Sequence, residues 1–157
     1  MLNRVVAAIL VLLSMAPAAA SADPRPFLRG SWQTLLQAHA GRPLVVHFWS
    51  LTCAPCLAEL PQWRETARNA GMDVVLVTTD PPEDTPKVER TLKRAGLDKV
   101  ESWGFADSFV EKLRFEIDRE WRGELPLTIL VSASGKRESR TGTLSRQDIE
   151  SWLAQAR

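Results

Sequence analysis

The chain has 157 residues, is 45% hydrophobic and 25% charged, and sets 20 Lys and Arg against 19 Asp and Glu. That is ordinary globular composition, which excludes a disordered, collagenous or coiled-coil chain, and one domain of this size buries roughly two thirds of its unfolded surface without staples. A formal charge of +1 supplies no field for gathering nucleic acid or acidic lipid, so nucleic acid is not an expected partner.

Residues 1–22 read as a secretory signal peptide. Met1 to Arg4 is a short positive leader, Val5 to Met15 is almost wholly apolar, and Ala16-Pro17-Ala18-Ala19-Ala20-Ser21-Ala22 is small and helix-breaking. The Ala20-Ser21-Ala22 end matches a cleavage site before Asp23. The apolar run falls short of the roughly 18–20 residues a spanning helix needs, although an uncleaved membrane anchor is the alternative. No cysteine lies near the cleavage site, so a lipid-modified anchor is excluded. Removal of residues 1–22 takes away one cation, Arg4, and leaves 19 charges of each sign. The expectation is a near-neutral domain over residues 23–157 in an exported compartment.

Ser31 is expected to cap a helix through Leu35, Leu36 and Ala40, ended by Gly41-Arg42-Pro43. Leu44-Val45-Val46-His47-Phe48-Trp49 is a strand run with apolar side chains on both faces, the pattern of a strand covered by helices on each side. Leu57, Leu60, Trp63, Ala67 and Ala70 follow at three- and four-residue spacings, which predicts an amphipathic helix ended by Gly71. Met72 to Thr78 reads as a second buried strand, broken by Pro81-Pro82, and Asp84 to Ala95 as a charged surface helix stopping at Gly96. Ala106 to Phe115 is a weaker helix. Leu127 to Val131 is a third strand, turning at Ser134-Gly135 into a short fourth over Arg137 to Thr141. Ser145 caps a last helix, Gln147 to Ala156. Strands alternating with helices, then a hairpin and a helix, predict an α/β sandwich.

The two cysteines of the chain are Cys53 and Cys56, in Cys53-Ala54-Pro55-Cys56. A bridge over two residues closes so small a loop that it removes little unfolded-chain entropy, so stability is a poor reason for the pair. Half of a zinc site is one alternative, but zinc takes four ligands and the rest of the chain offers only His39 and His47. A structural clip is another, and redox chemistry is the reading the context favours. Cys53 follows a buried strand, and Pro55 sits where the next helix begins, a place that tolerates a missing N–H. The free N–H groups of that helix start favour negative charge on the first sulfur. Cys53 is then the attacking thiolate, and Cys56, one turn in, the resolving thiol.

With these residues in view, the sequence resembles the thioredoxin superfamily and, within it, the exported TlpA/ResA-like thiol-disulfide oxidoreductases. The most specific block is Val46 to Cys56, similar to the family's F-W-A-x-W-C-x-P-C. Pro61 matches the proline that kinks the family's active-site helix. Glu124 to Leu130 resembles the segment with its cis-proline, and Gly142-Thr143-Leu144-Ser145 the turn before its last helix. The resemblance implies a central mixed β-sheet flanked by helices, with a TlpA/ResA-type central insertion starting at Thr79-Asp80-Pro81-Pro82. It also implies that Pro126 is cis and lies beside the sulfurs, with Leu125 able to pair with an extended substrate segment. On the residues alone, a trans proline starting an edge strand is the simpler assignment.

Three departures from the family pattern bear on the site. Thr52 replaces the usual tryptophan before the first cysteine, which makes the lip beside Cys53 smaller and more polar. Leu125 and Leu127 flank the proline and suggest an apolar groove wall. His47 stands where relatives carry a buried acid or asparagine. Alternation puts Val45, His47 and Trp49 on one strand face, and the family geometry aims His47 beneath the cysteines. His47 is then a hydrogen-bonded core residue, a proton acceptor for Cys56, or a copper ligand, although copper-delivery relatives use a longer cysteine spacing. Trp49 is expected near the pair, Trp32, Trp63 and Trp152 in helix packing, and Trp103 and Trp121 in the insertion with exposure to a partner an open option.

The resemblance implies a periplasmic thiol-disulfide oxidoreductase working as a monomer, with no metal or organic cofactor. Its implied partners are exported protein thiols or disulfides, such as those of cytochrome c maturation, and a membrane thiol reductase as electron donor. A disulfide-introducing oxidant and a copper-binding metallochaperone are the alternatives.

Overall fold

The structure, a computed structural model, describes residues 24–69 and 71–156. The leader read over residues 1–22, its junction at Asp23, and Ala70 lie outside the described residues. Among the described residues, no helix is long and apolar enough to cross a membrane.

Six strands and five helices alternate along the chain: β1 (Arg25–Phe27), α1 (Ser31–Ala38), β2 (Leu44–Trp49), α2 (Ala54–Thr66), β3 (Asp73–Thr78), α3 (Thr85–Arg94), β4 (Glu101–Phe105), α4 (Val110–Ile117), β5 (Leu127–Val131), β6 (Arg137–Thr141) and α5 (Arg146–Leu153). One mixed sheet has the order β1-β4-β3-β2-β5-β6. The first four of these neighbours run parallel, whereas β5 is antiparallel to β2 and β6 to β5. Every residue of β2 and β5 is buried, as expected where helices cover both sheet faces.

Alternation along β2 divides the core. Val46 and Phe48 join Phe27, Val75, Val77, Leu127 and Ile129 on the face covered by Trp32 and Leu35 of α1 and Leu113 and Ile117 of α4. Val45 and Trp49 face the other way, against Cys56, Leu60 and Trp63 of α2, Val88 and Leu92 of α3 and Ile149 and Leu153 of α5. The strand geometry therefore turns the side of β2 that carries His47 towards α2.

The predicted spans of β2, β5 and β6 match the observed ones. Two strands are additional. β1 is three residues long with Pro26 inside it, on the sheet edge where proline is tolerated. β4 begins with Glu101 and contains Gly104, so its own pattern is weak, and its state is set by parallel pairing with β3 and β1. The cap of α1 is Gly30, at φ 82°, and not Ser31. The Ser31 hydroxyl instead accepts from the Leu28 N–H at 2.9 Å, holding the turn ahead of the helix. α1 stops at Ala38 because His39 leaves the helix to meet Asp73 at 2.8 Å. α2 stops at Thr66, short of the expected Ala70, and Asn69 Oδ1 accepts from the Gly71 N–H at 2.9 Å, a local turn that competes with helix. Ser145 does cap α5, in a reciprocal box with Asp148.

Trp103 and Trp121 are buried, so the option of a partner-facing pair is corrected. Trp103 packs edge-on to Phe27 at 6.0 Å, and Trp121 meets Phe48 at 5.2 Å. The exposed large aromatics among the described residues are Phe109 and Phe115, around α4.

Candidate functional site

Parallel β2 ends at Trp49, and antiparallel β5 begins at Leu127 on the adjoining track, so the end of one strand and the start of the other meet at one edge of the molecule. Between β2 and α2, Ser50-Leu51-Thr52 makes a tight turn in which the Cys53 N–H reaches the Ser50 carbonyl at 3.2 Å. Cys53 is the N-cap of α2, with extended backbone, and its sulfur accepts from the Cys56 N–H at 3.2 Å. Ala54 and Pro55 form the first helical positions, where Pro55 gives up an N–H that would have no helical partner. Cys53 and Cys56 are joined by a disulfide, with Cα atoms 5.2 Å apart. Cys53 is partly exposed and Cys56 fully buried, so a partner reaches the first sulfur and not the second.

The Leu125–Pro126 peptide bond is cis. Pro126 is buried, and its carbonyl accepts from the Gly142 N–H at 2.8 Å, tying this corner to the turn after β6. Leu125 is half-buried and packs against both core clusters, one of which also takes Cys53, Cys56 and Trp49. The corner carrying the proline and the disulfide thus share one apolar support. Trp49 lies wholly inside that support. Thr52 is exposed beside Cys53, its hydroxyl 3.1 Å from that of Ser50, which gives the polar lip expected there.

His47 is completely buried. Its ring lies against the Trp63 indole with centroids 4.4 Å apart. Nδ1 is 3.0 Å from the Thr128 hydroxyl on the paired strand, which can serve either tautomer. Nε2 is 3.1 Å from Glu59 Oε1, within ion-pair range but without the alignment of a hydrogen bond. Both groups therefore keep unused hydrogen-bonding capacity in a buried site. Burial pushes the imidazole below its ordinary value and outweighs the opposing pull of Glu59, so His47 is neutral at neutral pH.

Two residues of this region escaped the sequence reading. Glu59 is a buried carboxylate three residues after Cys56 on α2, the spacing that puts two side chains on one helix face. The available signal was a charged residue at an α2 position flanked by core residues, but helical periodicity is loose enough to leave it on the surface. Asp80 is also buried. Its carboxylate accepts from the Leu51 N–H at 2.9 and 3.2 Å and from the Thr78 hydroxyl, and so anchors the turn that delivers Cys53. Its sequence setting, next to Pro81-Pro82, shows only a turn. His39 is not part of this site, since it joins Asp73 and Glu101 at the starting ends of β3 and β4.

A partly exposed sulfur at a helix N-terminus and a buried partner sulfur form an arrangement suited to breaking and making S–S bonds. No family model matches the chain. Thiol-disulfide oxidoreductase ResA of Geobacillus kaustophilus is 26% identical over 129 residues, covering 75% of this chain and 65% of that protein. ResA of Halalkalibacterium halodurans is 28% identical over 120 residues, covering 72% and 61%. The chain thus spans just under two thirds of the length of these curated relatives. Among solved structures, a secreted Mycobacterium tuberculosis disulfide oxidoreductase homologous to E. coli DsbE superposes with a TM-score of 0.58 at 18% identity, covering 76% of this chain and 85% of that one. A thioredoxin-family thiol:disulfide interchange protein of Chlorobium tepidum gives 0.60 at 23% identity, covering 77% and 83%. The fold is thioredoxin-like, and the sequence is similar to ResA-type oxidoreductases over about three quarters of its length.

Proposed function

We propose that the protein is a thiol-disulfide oxidoreductase that reduces disulfides of exported proteins through Cys53 and Cys56. The observation that carries the reading is the disulfide at the N-terminus of α2, with one sulfur reachable and the other buried. The Cys53 thiolate attacks one sulfur of a substrate disulfide. The substrate S–S bond breaks, its electron pair leaves with the departing sulfur, and a mixed disulfide remains on Cys53. Cys56 then loses its proton, for which Glu59, three residues on along α2, and its partner His47 supply the acceptor, and attacks the Cys53 sulfur. The Cys53–Cys56 bond forms and the second substrate thiolate departs. Two electrons have passed to the substrate, and its two thiolates take up the proton released by Cys56 and one more from solvent.

Leu125 and Pro126 form the wall along which the substrate backbone docks, and Thr52 the lip opposite. Trp49 and Pro55 hold the pair in place from below and from the helix start. The leader read over residues 1–22 and the likeness to a secreted oxidoreductase support export to the periplasm. The likeness to proteins named ResA supports the reducing direction, with a membrane thiol reductase as donor and apocytochrome c among the substrates. The copper reading is weakened because both nitrogens of His47 already face Thr128 and Glu59.

The deciding experiment is the reduction potential of the pair by redox-buffer titration, read from Trp49 fluorescence. A value near or below about −250 mV supports a reductant, whereas about −150 mV or above means an oxidant or isomerase. Stoichiometric Cu(I) binding by the reduced protein without disulfide reductase activity would overturn both.

A further inference from the structure

A groove of about 540 Å³ lies between α2 and α3, and two of its lining residues flank the redox pair in sequence. Leu51, two residues before Cys53, and Leu57, directly after Cys56, line its apolar side together with Pro61. Leu57 is 37% exposed, an apolar side chain left open one position after Cys56. The far side is a row of cations from α3: Lys87, Arg90 and Arg94, all exposed. Their three- and four-residue spacing stacks them along one helix face. No carboxylate is among the lining residues. Lys87 is paired to Asp84 at 2.6 Å, and Arg94 Nε donates to the Arg90 carbonyl at 3.4 Å. A basic wall thus faces apolar side chains that adjoin the disulfide along the chain, in a protein whose formal charge is only +1.

We infer that this groove selects the protein's substrates: it takes the segment next to the reacting cysteine of a partner protein, seating an apolar side chain on Leu51, Leu57 and Pro61 and pairing carboxylates with Arg90, Arg94 and Lys87. The inference rests on the oxidoreductase reading and adds the chemistry of its substrate. Charge complementarity identifies the occupant as an acidic–apolar segment. From Arg90 to Arg94 the helix rises about 6 Å, close to the roughly 7 Å between alternate residues of an extended segment, so two carboxylates on alternate residues match these two arginines.

The test uses three peptide disulfides, each made of two copies of one short peptide. Every peptide has leucine beside its cysteine and, beyond it, two glutamates, two lysines or two serines. Oxidation of the reduced protein by each is followed by stopped-flow fluorescence, normalised to the peptide's own exchange with dithiothreitol. The neutral reagent bis(2-hydroxyethyl) disulfide measures reactivity that does not involve the groove. The glutamate peptide is expected to react about tenfold faster than the lysine peptide at low salt, with serine between, as two or three exposed charge pairs would produce. The difference should collapse near 1 M salt, where screening acts within about 3 Å. In Arg90→Glu/Arg94→Glu the order should reverse once each rate is divided by that variant's own rate with the neutral reagent. Equal rates for the three peptides alongside normal reaction with the neutral reagent would overturn the groove and leave the oxidoreductase reading standing. So would a glutamate preference that survives in the double variant. Failure of the wild-type protein to react with any of these disulfides would overturn the oxidoreductase reading and the groove with it.

Discussion

Replacing Asp80 by alanine should loosen the turn that carries Cys53 at a measurable loss of stability. The carboxylate is 7% exposed and serves two donors, the Leu51 N–H and the Thr78 hydroxyl. A hydrogen bond to a charged acceptor contributes about 1.5–3 kcal/mol, so removing both would cost about 3–6 kcal/mol before relaxation. Two effects reduce this. Removing a buried carboxylate returns part of its desolvation penalty, and Thr78 can turn its hydroxyl while still accepting from the Asp80 N–H at 3.2 Å. Half-buried Leu51 also admits water to its N–H. The net expectation for Asp80→Ala is about 2–3 kcal/mol, a large share of the 5–15 kcal/mol typical of a domain but not enough to unfold it. Asp80→Asn keeps an acceptor oxygen for Leu51 and should lose only about 1 kcal/mol. Urea unfolding of the oxidised proteins at neutral pH checks both, with unchanged m-values as the sign of a common unfolded state. A loss under 0.5 kcal/mol for Asp80→Ala would refute the anchoring argument. Equal losses for alanine and asparagine would show that the charge matters and the acceptor geometry does not.

The cysteine roles predict that Cys53→Ser abolishes exchange, while Cys56→Ser accumulates a mixed disulfide visible by mass spectrometry. The reverse pattern would exchange the two assignments. His47→Ala should slow disulfide exchange roughly tenfold or more, at the lower edge of general acid–base effects, yet leave alkylation of Cys53 nearly intact; turnover equal to wild type would end the relay idea. Glu59→Gln should slow the same resolving step and change its pH profile, which simple loss of packing would not do. For His39, hydrogen bonding to Glu101 leads in raising the imidazole above its ordinary value, with Asp73 adding to it against burial. Its stabilising contribution is then fully present below the unfolded value of about 6.5 and is lost as pH rises through the higher folded value. The stability difference between wild type and His39→Gln should therefore shrink from pH 6 towards pH 8. His47 acts in the opposite sense, since its folded value is lowered by burial and stability falls as pH drops below about 6.5. A wild-type advantage over His39→Gln that grows with pH would contradict the His39 assignment.

Local patterns were enough for the parts of this molecule that declare themselves within a few residues. The runs Leu44 to Trp49 and Leu127 to Val131 are strands because β-branched and large apolar side chains fill both faces of a covered sheet. Cys53-Ala54-Pro55-Cys56 is a redox motif in sequence because strand, paired thiols and helix start follow one another directly. Alternation also indicated that His47 shares a face with Trp49. Its partners were not legible, because they come from distant positions. Glu59 arrives from α2 and Thr128 from β5, which pairs with β2 only after the chain has crossed to the other side. The same reason hid β4, whose five residues become a strand through two neighbours, and Asp80, whose carboxylate matters only because Leu51 lies beneath it. Motif and core periodicity are properties of adjacent residues, and so the sequence determined the spacing of the paired cysteines at a helix start and the burial of the central strands. The tertiary structure alone decided which acid faces His47, which carboxylate holds the cysteine turn, and that basic α3 stands across from Leu57, since each depends on side chains more than twenty residues apart, or on one helix turn placed against another element.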